Sequence, residues 1–120
     1  MFDHIGLKVK DVVTSVRFYR AVLTPLGHEV ASHDAEGAGF GPPDEPALWL
    51  YRSTRAAAPG VHIALHAETH AAVDAFHRAG LEAGGRDNGA PGPRPDYGPT
   101  YYAAFLIDPD GNNIEAVCLK

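Results

Sequence analysis

The chain has 120 residues, 45% of them hydrophobic and 21% charged, with a formal net charge of −5. That is ordinary globular usage for one domain, which buries about two-thirds of its unfolded surface. Scattered charges with an acidic balance argue against nucleic acid or an anionic membrane as partner, and no apolar run is long enough to span a bilayer. The single cysteine, Cys118, excludes an internal disulfide and a cysteine zinc site, and its apolar strand context reads as a buried, inert thiol. With no signal-peptide pattern, the expected location is the cytoplasm.

Ile5, Leu7 and Val9 alternate with His4, Gly6 and Lys8, a period-two pattern that predicts a strand over about 2–9. Asp11 then caps a helix to about Leu23, with Val12, Val16, Tyr19 and Leu23 at helical spacing, and Pro25 and Gly27 end it. Residues 28–46 are polar and rich in glycine and proline, which predicts weak strands and loops. Ala47 to Tyr51 reads as a short strand, and residues 53–60 as a linker. The second half opens with a strand over 61–67, followed by a helix from about His70 to Ala83. Residues 87–99 hold four prolines and three glycines and read as an irregular, stiff surface loop of the kind that covers a ligand mouth. Tyr101 to Val117 reads as strand, tight turn at Asp108-Pro109-Asp110-Gly111, and strand.

The chain repeats itself. Residues 4–27 recur at 62–85: His4-Ile5 matches His62-Ile63, Leu7 matches Leu65, Phe18 matches Phe76, Arg20 matches Arg78 and Gly27 matches Gly85. Asp11 and Thr69, both good helix caps, also correspond. The expected organisation is one domain over 1–120, with module one at 1–52, the linker at 53–60 and module two at 61–120, related by a pseudo-two-fold axis. In each module the apolar alternates of the first strand face the helices. His4 and His62 therefore point to the opposite face at equivalent positions. Glu115, with Val117 and Leu119, occupies one face of the last strand. Two histidines and one glutamate are a ligand set for open sites of divalent iron, manganese, nickel or zinc, with positions left for water or substrate. The plainer alternative is two ordinary strand histidines and a solvated carboxylate.

The segments DHIGL at 3–7, VRFYRAVLTPLG at 16–27, GVHIAL at 60–65 and DPDGNNIEAV at 108–117 resemble the vicinal oxygen chelate superfamily. That superfamily includes glyoxalase I, fosfomycin and bleomycin resistance proteins, and extradiol dioxygenases. The resemblance covers nearly the whole chain. It implies an α+β fold of two tandem βαβββ modules whose curved mixed sheet forms a cup with the helices outside. It places His4, His62 and Glu115 on the family's metal-ligand positions. It also implies a divalent ion (iron, manganese, nickel, cobalt or zinc) that acts as a Lewis acid on two adjacent oxygens of a small substrate, in lyase, isomerase or dioxygenase chemistry. Family members usually pair, so a homodimer is expected.

Glyoxalase I uses a fourth ligand, a glutamate in the strand that ends the first half. Here that strand is Ala47-Leu48-Trp49-Leu50-Tyr51, and Trp49 is the best match for the ligand position. Three ligands look more like the fosfomycin-resistance and extradiol sites. The alternative function is a metal-free binding protein of the bleomycin-resistance type, which sequesters an aromatic molecule in a groove lined by Trp49, Tyr51, Tyr97, Tyr101 and Tyr102. His66, on the face of His62, and Tyr102 are candidate proton carriers. Arg94, in the loop, is a candidate contact for an anionic substrate.

Overall fold

The computed structural model describes residues 1–55 and 60–120; residues 56–59, half of the expected linker, lie outside them. Module one runs β1 (Ile5–Val9), α1 (Val12–Leu23), a 3-10 turn (Thr24–Leu26), β2 (Glu29–Asp34), β3 (Gly37–Gly41) and β4 (Leu48–Arg52). Module two runs β5 (His62–His66), α2 (His70–Glu82), β6 (Arg86–Pro93), β7 (Tyr102–Ile107) and β8 (Asn113–Cys118). Each module is a βαβββ unit with its own four-stranded mixed sheet, ordered β1-β4-β3-β2 and β5-β8-β7-β6. The α+β fold of two tandem modules is thus as expected, with the strands divided between two sheets.

Both helices start as the repeat predicts. The Asp11 side chain accepts from the Thr14 N–H, and the Thr69 hydroxyl oxygen accepts from the Ala72 N–H, each at 3.0 Å, so a free donor of the first turn is satisfied. Val12, Val16, Tyr19 and Leu23 are all buried, as their spacing requires. Each helix packs on one face of its own sheet and the two helices pack on each other, so the inner faces of both sheets drain into one apolar cluster. Tyr19, Phe18, Phe40 and Phe76 are its largest members, each contributing about 1.5–3 kcal/mol by leaving water. Gly80 allows the close approach: a Cβ there would run into Leu106 and Val22. No helix among the described residues is long and apolar enough to cross a membrane.

The turn after β7 fastens module two to module one. Asp108 is 3% exposed. It accepts from the Tyr19 hydroxyl, from the Asn112 side-chain amide and, on its other oxygen, from the Asn112 and Asp110 N–H groups. Asp110 in turn accepts from the Lys10 N–H and the Ser15 hydroxyl at the start of α1. Burial, then the Asp108 carboxylate, push the Tyr19 phenol well above its ordinary range, so it stays a donor. The free Cys118 is buried, as expected.

One expected loop is a strand. Residues 86–93 pair with β7, with register breaks between Asp87 and Gly89 and between Gly89 and Gly92. Prolines are tolerated because β6 is the edge of its sheet and needs donors on one side only. The bulges absorb the glycines, Gly89 at φ +152°. Only the remainder, up to Tyr101, is a connecting loop.

Candidate metal centre

Each sheet keeps one face free of helices. On the second sheet, β5 and β8 run parallel with Ala64 beside Glu115, and β7 runs antiparallel with Phe105 beside Glu115. Period-two alternation then puts His62, Glu115, Phe105 and Tyr101 on the free face. Glu115 is nevertheless only 3% exposed. A buried carboxylate is costly unless partnered. Its Oε2 accepts from the Tyr101 hydroxyl, and its Oε1 lies 3.1 Å from His62 Nε2.

The His62 contact has a definite polarity. Nδ1 lies 3.1 Å from the Asn113 backbone oxygen. A carbonyl oxygen only accepts, so the ring proton sits on Nδ1. In the neutral imidazole, Nε2 is then a lone pair facing a carboxylate oxygen. Two acceptors at that separation need positive charge between them: a second ring proton or a cation. Half of the His62 side chain is open to solvent, so the pair is reachable from outside. Burial and then the Glu115 carboxylate push Tyr101 up to about 12, which keeps its hydroxyl a donor to Glu115 throughout the physiological range.

The other predicted residues are distributed less compactly. His4 precedes β1 on the first sheet. Its Nδ1 donates to Asp3 Oδ1 at 2.6 Å, so its Nε2 is also left as a lone pair, and the side chain is 54% exposed. Among the described residues no three His, Cys, Asp or Glu side chains converge, so His4 does not join His62 and Glu115 within one chain. Trp49 pairs with Gly6 as Glu115 pairs with Ala64, and Gly6 and Ala64 are repeat equivalents. Trp49 therefore holds Glu115's place in module one. It lies on the helix-free face, between buried Leu48 and Leu50, with its ring over Gly39. Tyr51, half exposed, covers Gly6 on the same sheet.

Tyr102 has to be corrected as a proton carrier beside Glu115. It is one residue out of phase with Tyr101, so it faces α2, stacks on His70 with ring centroids 3.9 Å apart, and donates to Asp74. His66 remains on the free face, with Nε2 3.2 Å from Glu68 Oε1. Tyr97 packs edge-on against Tyr101 at 5.3 Å and is largely exposed. Arg94 sits over the Phe105 ring, 5.5 Å from its centroid.

The sequence profile of the "Glyoxalase/Bleomycin resistance protein/Dioxygenase superfamily" matches residues 1–116. The chain belongs to that superfamily. Among solved structures, a glyoxalase/bleomycin resistance protein from Albidiferax ferrireducens T118 is 31% identical, with a TM-score of 0.87 over 98% of each chain. A glyoxalase/bleomycin resistance protein/dioxygenase family enzyme from Burkholderia phytofirmans PsJN shares the fold at 17% identity and TM-score 0.75, covering 98% of each chain. So does a lactoylglutathione lyase from Agrobacterium tumefaciens, at 19% identity and TM-score 0.70 over 98% of this chain and 92% of that one. No curated relative matches the chain.

Two contributions to this superfamily member's candidate site were missed from sequence. The Tyr101 hydroxyl was read as part of an aromatic wall and is a hydrogen-bond donor to Glu115. Phe105 was not singled out at all. The signal for both was present: a tight turn at 108–111 fixes the hairpin register, and the register sets Phe105 opposite Glu115 with Tyr101 on the same side.

Proposed function

We propose that the chain is a metal-dependent enzyme of its superfamily, with a divalent cation held by His62 and Glu115 of one protomer and the partner's His4. The observation that carries this reading is the His62–Glu115 contact, a ring nitrogen 3.1 Å from an oxygen of a buried carboxylate, with room for positive charge between them. Nitrogen and oxygen donors of this kind suit iron, manganese, nickel, cobalt or zinc. Both histidines have Nδ1 tied to an oxygen, the arrangement that orients an imidazole for a metal at Nε2; in His62 that nitrogen already faces Glu115 Oε1. β1 and β5 are edge strands with one side unpaired, which favours pairing of two copies along them.

When bound, the cation would act as a Lewis acid toward two adjacent oxygens of a small substrate. The chain's own residues do the rest. Tyr101 holds the Glu115 carboxylate by its Oε2, and the Asn113 carbonyl fixes the ring orientation of His62. His66 shares that face of β5 and is the proton carrier of this reading. Trp49 and Tyr51 supply an apolar wall from the first sheet.

The metal-free alternative, a protein that sequesters an aromatic molecule, draws on those same rings over glycines and on the Tyr101 hydroxyl already seated on Glu115. Elemental analysis separates the two. Protein loaded with iron, manganese, nickel, cobalt or zinc and then desalted should retain close to one ion per chain, and His62→Ala should retain none. Wild-type protein that keeps no ion of the series removes the enzyme reading and leaves the binder.

A further inference from the structure

Arg94 reaches over the Phe105 ring on the second sheet. Its guanidinium is built in rather than loose. Nη1 donates to the Gly92 and Pro93 carbonyls at 2.9 and 3.3 Å, and Nη2 donates to the Ala90 carbonyl at 2.7 Å. Gly89 makes the room: a Cβ there would stand 2.9 Å from the Phe105 ring and 3.4 Å from Arg94 Nη2. Among the described residues Arg94 has no carboxylate within ion-pair distance, in a chain with net charge −5. Glu115 is not such a partner; its contacts are Tyr101 and His62.

Three of the five N–H groups are thus used on main-chain oxygens. The Nε–H and one Nη2–H, on neighbouring nitrogens of one planar group, have no protein acceptor among the described residues. A planar fork with two free donors fits a carboxylate. Phe105 lies under the guanidinium and also stacks on the His62 ring, with centroids 6.3 Å apart and planes 21° apart. One aromatic surface therefore runs from the free cation to the proposed metal ligand.

We propose that Arg94 gives the site an anion subsite, and that the molecule taken beside His62 and Glu115 is a small planar carboxylic acid, its carboxylate on Arg94 and its unsaturated body on Phe105. This names a substrate class for the reading above and rests on it for where the substrate lies. Arg94 is a specificity residue here and touches no reacting bond.

Salicylate and its neutral isostere salicylamide are suitable probes. They would be titrated calorimetrically into the full chain, both zinc-loaded and metal-stripped. The expected result is salicylate binding at least ten-fold tighter than salicylamide, with the preference weakening as salt is raised. Arg94→Gln should remove the preference while zinc stoichiometry stays at the wild-type value, and Arg94→Lys should keep part of it. Equal binding of the two probes, no saturable salicylate binding by either form, or a preference that survives in Arg94→Gln would overturn the subsite. A thermal melt checks that the variants fold. Should Arg94→Gln fail that check, the probe pair and its salt dependence on wild-type protein decide. A preference seen in stripped protein that retains no ion on loading upholds the subsite while the metal reading falls.

Discussion

Modules one and two have the same strand order, the same capped helix and the same parallel pairing of first and last strands, yet among the described residues module two alone carries a buried acid, Glu115, on its free face. At equivalent positions module one has Trp49 over Gly39 where module two has Glu115 beside Phe105. The inner faces are interchangeable apolar surfaces and answer to packing. The free faces answer to nothing in the fold, so a few outward positions are enough to make one module a carboxylate site and the other an aromatic wall. His4 and His62 are the exception, matched in both modules with Nδ1 tied to an oxygen.

That matched pair allows the sharpest break of the comparison. If one site uses both modules from two chains, His4→Ala and His62→Ala each lose the ion. Mixing equal amounts of the two variants under conditions that exchange protomers should restore metal to about a quarter of the sites, because about half of the dimers are then mixed and one of the two sites in each mixed dimer has both wild-type histidines. Metal retained by His4→Ala alone would confine the site to module two. Mixtures that stay empty would show that the two histidines do not share an ion.

The next effect is smaller and tests the support rather than the ligands. Tyr101→Phe removes the donor to Glu115 Oε2 and leaves the ring that packs against Tyr97. Loss of such a supporting hydrogen bond lowers metal affinity by about 10–100-fold. A competition titration with a chelator measures it. An unchanged affinity would mean that Tyr101 merely fills the gap left by an ion and swings away on loading.

Most of the fold was legible because the duplication reports on itself: two caps, two helices and two opening strands fall where residues 4–27 and 62–85 align. The equivalence of Trp49 and Glu115 was legible for the same reason. β6 was not, since proline and glycine content says nothing of a partner strand, and an edge strand with bulges accepts both. The misplacement of Tyr102 was avoidable. Tyr101 and Tyr102 are adjacent, so only one can share a face with Glu115, and the apolar alternates Ala104 and Leu106 assign Tyr102 to the core side. The separation of His4 from His62 was beyond reach, because a repeat specifies what each module is and not how far apart two free faces lie.

The smallest expected effect asks whether module one's aromatic wall meets the site at all. Trp49 is the single tryptophan, so its emission reports on that face alone. Loading the protein with cobalt or nickel, or adding an aromatic acid, should quench it if the wall and the ion share a space. Trp49→Glu then makes module one resemble module two, putting a second carboxylate, and so a fourth ligand, where Glu115's counterpart stands. Metal binding should tighten by about ten-fold, an added anionic oxygen ligand for a hard divalent ion, while binding of aromatic probes weakens as the ring is lost. The price is stability: the indole packs over Gly39, and a half-exposed glutamate there gives up roughly 1 kcal/mol of apolar contact. Isothermal titration of both variants with the same ion measures the first effect and a thermal melt the second. Unchanged metal affinity in a folded Trp49→Glu protein, with unquenched wild-type emission, would place module one's free face away from the centre and leave His4 as its only contribution.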